Sequence, residues 1–140
     1  MSRKGLIIIL AIFLTIFGAI LIYQWVFKKA DLSVNLKKAD YQISAGELLQ
    51  SFENDEESAN TTFVNKVIIV TGLVDDISED SSKITVYLKD KDAISGVLCS
   101  FDKSVMSADK ISKGKEISIK GICSGYLLDV VLNKCSLVED

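Results

Sequence analysis

The sequence predicts a mainly β domain, a five-stranded barrel with a helix before its first strand and a short helix between strands three and four. One N-terminal transmembrane helix precedes this domain. Three observations lead there. An uncharged apolar run occupies residues 5–27, and five short β-patterned runs fill residues 66–138. The helical patterns fall before the first of these runs and between the third and fourth.

The apolar run GLIIILAIFLTIFGAILIYQWVF extends from Gly5 to Phe27. At 1.5 Å per residue its 23 residues span roughly 34 Å, enough for a hydrocarbon core of about 30 Å. Tyr23, Trp25 and Phe27 crowd its C-terminal end, where an aromatic belt meets the lipid–water interface. A cleaved signal peptide has a shorter apolar region and a small-x-small site, and Ile22–Val26 offers none. The expected division is therefore a signal anchor at 1–29, a linker at 30–40 and a barrel domain at 41–140. Arg3 and Lys4 precede the span and Lys28 and Lys29 follow it, so the charge rule is nearly balanced. The short N-terminal tail and long following domain favour a single-pass protein with its domain outside the cytoplasm, on the periplasmic side of a bacterial inner membrane.

The domain opens with Tyr41-Gln42-Ile43 leading into a helix, with Ser44 as N-cap and Glu47 completing a capping box. Leu48, Leu49, Phe52, Ala59 and Phe63 form one apolar stripe, interrupted by Glu56, in a helix expected to end near Asn65. The acidic cluster Glu53, Asp55, Glu56 and Glu57 reads as a solvated helix face. Lys66–Val74 is β-branched and strand-like, and Gly72 within it marks a bulge or bend. Asp75–Ser82 is acidic and polar and reads as a loop or a frayed hairpin end. Lys83–Lys89 alternates, with Ile84, Val86 and Leu88 on one face and Thr85 and Tyr87 on the other. Gly96–Phe101 is the third strand. Asp102 caps a short helix over 103–111, followed by strands over Glu116–Cys123 and Leu127–Val138, with the turn near Ser124-Gly125. This order is that of an OB-fold, a five-stranded Greek-key barrel.

Composition narrows the chemistry. The chain has 140 residues, no His and a net charge of −3. Residues 30–140 hold twelve Lys against nineteen Asp and Glu, a net of −7. That field disfavours a polyanion, since phosphate binding rests on Lys and Arg. The missing His removes the commonest general base and the usual zinc ligand. Ser100 and Ser124 have no base, and no C-x-x-C motif is present. The reading is a non-enzyme with no catalytic residue, no metal site and no cofactor. Tyr87, Tyr126 and Asp129 are the weak ligand-binding candidates, and Asp129 also suits a turn. If strands three and five run parallel, Cys99 and Cys135 lie at one end of the barrel and Cys123 toward the other. Cys99–Cys135 is then the first choice of disulfide. Cys123–Cys135 is the alternative if the last hairpin turns later, near Asp129, and three buried free thiols remain open.

Three segments carry a family resemblance. They are ISAGELLQSFENDEESANTTFVNKVIIVTGLVDDI, then GVLCSFD, then KGKEISIKGICSGYLLDVVLNKCSLV. Together they resemble the tRNA_anti-like family of bacterial OB-fold proteins. The matching positions include Phe52, Asn54, Glu56, Ala59, Asn60, Lys66, Gly72, Cys99, Phe101, Gly121, Cys123, Gly125, Asp129, Val130, Leu132 and Cys135. The resemblance covers about 41–138. It implies an OB-fold in a small anchored or lipoprotein-like protein, with no settled activity. The partners expected are the membrane, through 5–27, and an unknown protein, peptide or saccharide. Nucleic acid, which the family name evokes, is not expected of so acidic a domain. A structural accessory subunit of an envelope complex is the alternative reading.

Overall fold

The computed structural model describes residues 2–36 and 38–139, with the side chains of 25–36 outside the description. The expected belt positions Trp25 and Phe27 and the basic Lys28 and Lys29 therefore lie outside the described side chains. The chain forms two compact units, Met1–Ser33 and Val34–Asp140. The first lies almost wholly in a single helix, α1 (Arg3–Leu36), which runs a few residues past the boundary and whose segment Arg3–Gln24 is long and apolar enough to cross a membrane, with a mean hydropathy of 3.0.

In the second unit the first element is a short strand, β1 (Tyr41–Ser44), where the sequence reading had only a lead-in to the helix. It pairs parallel with the start of β2 (Val67–Glu79), Tyr41 opposite Ile68 and Ser44 opposite Thr71. Asp40 fixes this entry: its N–H donates to Val67 O (2.7 Å) and its carboxylate accepts from Val67 N (3.0 Å). The expected single helix is two, α2 (Ala45–Asn54) and α3 (Glu56–Phe63). Ser44 caps α2 with the predicted box: its hydroxyl accepts from Glu47 N, and the Glu47 carboxylate accepts from Ser44 N. The break falls at Asp55 (φ −154, ψ 88), a non-helical residue whose carboxylate accepts from Ser58 N and starts the second helix. Such a local bond offers the backbone an alternative to continuing the helix. The apolar stripe survives the break, and Leu48, Leu49, Phe52, Ala59 and Phe63 are all buried.

The five strands β2, β3 (Lys83–Leu88), β4 (Val97–Asp102), β5 (Glu116–Tyr126) and β6 (Val130–Leu137) close into a barrel in the order β2-β3-β4-β6-β5, with β5 returning to β2. β4 and β6 run parallel and the other barrel pairs antiparallel, which is the predicted OB-fold. β2 extends to Glu79, through residues expected to form a loop or a frayed hairpin end. It serves two partners in succession: Val67–Leu73 pairs with β5, and Val74–Glu79 with β3 across a register shift at Val74/Asp76. β1 occupies the edge of β2 that β3 does not reach, so that edge is not left open. The bend lies beyond Gly72. What Gly72 supplies is closeness, since a Cβ there would come within 2.8 Å of Ala45 Cβ at the start of α2.

The helix expected between the third and fourth strands shrinks to a 3-10 turn at Ala108–Lys110. Asp102 Oδ1 accepts from Ser104 N (2.8 Å) and Ser104 Oγ (2.6 Å), and this turn replaces the first helical turn. Met106 and Ile111 nevertheless bury themselves at that end of the barrel. The last hairpin turns at 127–129, later than Ser124-Gly125, and Gly125 (φ 137) instead sits at a register shift within β5. The buried apolar core runs from Ala45 to Cys135, so all of it lies in the second unit.

Candidate functional site

Along β3 the two-residue alternation buries Ile84, Val86 and Leu88 and turns Thr85 and Tyr87 outward. A cavity of about 260 Å³ opens on that outer face, lined by Asp76, Ser78, Thr85, Tyr87, Leu98 and Asp129. It draws on β2, β3, β4 and the last turn. In an OB-fold this face, between the second and third barrel strands, is where ligands are held. It carries hydroxyls and carboxylates around one aliphatic side chain, and no lysine lines it.

Two of the three sequence-derived candidates meet here. Asp129 Oδ1 accepts from the Tyr87 hydroxyl (2.7 Å) and from Gly96 N (2.8 Å). Val130 N also donates to Gly96 O, so the 89–96 loop and the last hairpin are tied at two points. Burial, the Asp129 bond and the nearby charges of Asp129 and Asp75 push the Tyr87 hydroxyl up to about 12. Tyr87 therefore stays a neutral donor at physiological pH. Tyr126 goes elsewhere. Its ring stacks on Phe52 of α2 (centroids 5.6 Å apart), joining the barrel to its helical cap. The cavity residues Asp76, Ser78, Thr85 and Leu98 were not singled out from sequence. Thr85 was legible from the β3 alternation, whereas Asp76 and Ser78 were hidden in a stretch that reads as a loop or a frayed hairpin end. Asp76 is partly neutralised by an exposed ion pair with Lys113, which holds its carboxyl below the usual range.

The cysteines are all buried thiols. The Cys99 thiol is hydrogen-bonded with that of Cys135. That bond and burial push the Cys99 thiol well above its usual range. Cys123 does not lie at the opposite end, contrary to the sequence reading. It faces Leu132 from β5 as Cys99 faces Leu132 from β4, so β6 separates them. Burial pushes Cys123 upward too. Thiols held in this form are poor nucleophiles. Gly121 makes room for Cys135: a Cβ on Gly121 would lie 2.8 Å from Cys135 Sγ and 3.2 Å from Asn133 O. Among the described residues no group of three or more His, Cys, Asp or Glu is placed to hold a metal ion.

A family model, tRNA_anti-like, matches residues 1–137. No curated protein matches the sequence. Among solved structures, the chain is similar to a candidate nucleic acid-binding lipoprotein from Klebsiella pneumoniae subsp. pneumoniae. That match has a TM-score of 0.59 at 17% identity, covering 74% of this chain and 100% of that one. A weaker likeness is to the Stn1–Ten1 complex of S. pombe, with a TM-score of 0.41, 18% identity, and 53% and 59% of the two chains covered. Asparaginyl-tRNA synthetase from Pyrococcus horikoshii follows at a TM-score of 0.40 and 15% identity, over 55% of this chain and 20% of that one. At these identities the likenesses describe a shared fold.

Proposed function

The chain belongs to the tRNA_anti-like family, and from that premise we propose that it is a membrane-anchored, extracytoplasmic OB-fold binding module rather than an enzyme. α1 anchors it, and its partner sits on the outer face of β3 and β4. The observation that carries this reading is the cavity bounded by Tyr87 and Asp129, placed where OB-folds hold ligands and lined by carboxylates and hydroxyls. Single-strand nucleic-acid sites combine a basic groove with exposed stacking aromatics. Here the one lining aromatic, Tyr87, is committed to Asp129, and the domain is acidic. The face suits a neutral or cationic partner, a protein segment or a saccharide, better than a polyanion.

The test is titration of the fragment Val34–Asp140, which holds the whole core, with single-stranded DNA and RNA at low salt. Absence of binding is expected. Steeply salt-dependent binding would overturn the reading in favour of nucleic acid. A reporter fused after Asp140 tests the orientation, and activity only of a cytoplasm-dependent reporter would reverse it. The alternative, a structural accessory subunit that makes its contacts through α1, predicts that partner capture is lost once α1 is removed.

The outward placement bears on the cysteines. In an oxidising compartment the contact between Cys99 and Cys135 favours this pair as the disulfide.

A further inference from the structure

Three large aliphatic side chains stand in solvent at one end of the barrel. Ile94 is 97% exposed, Leu127 88% and Leu128 78%. They belong to two loops, 89–96 and 127–129, that are fastened to each other. Gly96 N donates to Asp129 Oδ1 and Val130 N to Gly96 O, while Leu127 N donates to Asp129 O within the second loop. The apolar tips are therefore presented by braced backbone.

Strand directions place both loops at the end where β2 begins. β3 runs antiparallel to β2 and ends at Leu88, β5 runs antiparallel to β2 and ends at Tyr126, and β4 and β6 start side by side at Val97 and Val130. The chain enters the domain at this same end, where Asp40 is bonded to Val67 at the start of β2. The side chain of Tyr41, the next residue, is 41% exposed.

We propose that this end of the barrel docks onto the surface of the bilayer that α1 spans, with Ile94, Leu127 and Leu128 entering the interface. The proposal rests on the membrane-anchor reading. A bilayer is the occupant that fits. The three side chains are almost wholly exposed on loop tips, as expected for entry into a fluid apolar phase. The tether keeps a lipid surface at high effective concentration, so a modest apolar contact is enough to hold the domain down. α2 and α3 pack at this same end, with Phe52 on Tyr126, and expose Glu53, Glu56 and Glu57. Lys89 and Lys91 flank the Ile94 loop within the segment Lys89-Asp90-Lys91-Asp92. The surface favoured is accordingly zwitterionic.

The experiment uses the full chain in vesicles of phosphatidylcholine brominated on the acyl chains. The single tryptophan is first removed as Trp25→Phe. Leu128→Trp then reports on the apolar tips, and Ser81→Trp on the exposed loop at the opposite end. Brominated lipid is expected to quench the emission of L128W and leave S81W unchanged. Flotation with the vesicles checks the anchor separately. A chain that does not float overturns the anchor reading, and one that floats with L128W unquenched overturns the docking alone. A blue shift of L128W without quenching means that protein covers the tips, which also overturns the lipid assignment.

Discussion

Replacing Asp129 tests how the candidate site is held together. Its Oδ1 accepts from the half-buried Tyr87 hydroxyl and from the N–H of buried Gly96. Hydrogen bonds to a charged group contribute about 1.5–3 kcal/mol each, and a buried donor left without a partner costs about 1–3 kcal/mol. Asp129→Ala removes both bonds and strands Gly96 N, so the expected loss is about 3–6 kcal/mol. Tyr87→Phe removes one bond and leaves Gly96 satisfied, for about 1.5–3 kcal/mol. The two changes share one interaction, so the double variant is expected to fall short of their sum by about 1 kcal/mol or more. The assay is urea unfolding of Val34–Asp140 and its three variants. Additivity within about 0.3 kcal/mol would refute the reasoning, because groups that do not interact simply add.

Other outcomes follow from the same structure. The neutral Tyr87 hydroxyl is needed as a donor, and its titration is raised to about 12 in the folded state. Its contribution to stability is thus fully present below the unfolded value near 10 and is lost as pH rises through 12. The stability difference between the parent and Tyr87→Phe should shrink across that window, and a difference constant with pH would contradict the bond. Gly121→Ala presses a methyl onto Cys135 Sγ and Asn133 O and is expected to cost about 1–3 kcal/mol, read as a lower melting temperature. An unchanged melting temperature would refute the close approach. In protein taken from native membranes, non-reducing peptide mass spectrometry should find Cys99 linked to Cys135 and Cys123 free. In the loop-entropy view, closing that loop stabilises by roughly 4 kcal/mol. A Cys123–Cys135 link would overturn the pairing, and alkylation of all three thiols without unfolding would contradict their burial.

Much of the barrel was legible because its strands are patterned locally. Ile84, Val86 and Leu88 announce a half-buried strand, and Ser44 with Glu47 announces a helix start. The misreadings occur where tertiary pairing or one polar side chain decides. Asp75 to Glu79 looks by composition like a loop or a frayed hairpin end, yet β3 supplies a partner ladder and the acidic side chains sit at the surface. Tyr41–Ser44 is too short to read as a strand until the free edge of β2 is known. Asp55 and Asp102 each divert the backbone with one carboxylate, splitting one helix and reducing another to a turn. For the site, Tyr87 and Asp129 were visible as single residues 42 positions apart, but their bond was not. Only barrel closure brings the β3 face to the last turn. Tyr126 looked equivalent to Tyr87 in sequence and is instead claimed by Phe52, a contact that depends on where α2 lies.

The central claim is that the β3–β4 face holds a partner that is not nucleic acid. Its most direct measurement is photo-cross-linking from Thr85, replaced by a photoreactive residue in the full chain within native membranes. The account predicts a discrete, nuclease-resistant adduct from Thr85 and none from Ser81 at the edge of the barrel. An adduct that nuclease removes, or an equal yield from both positions, would contradict it.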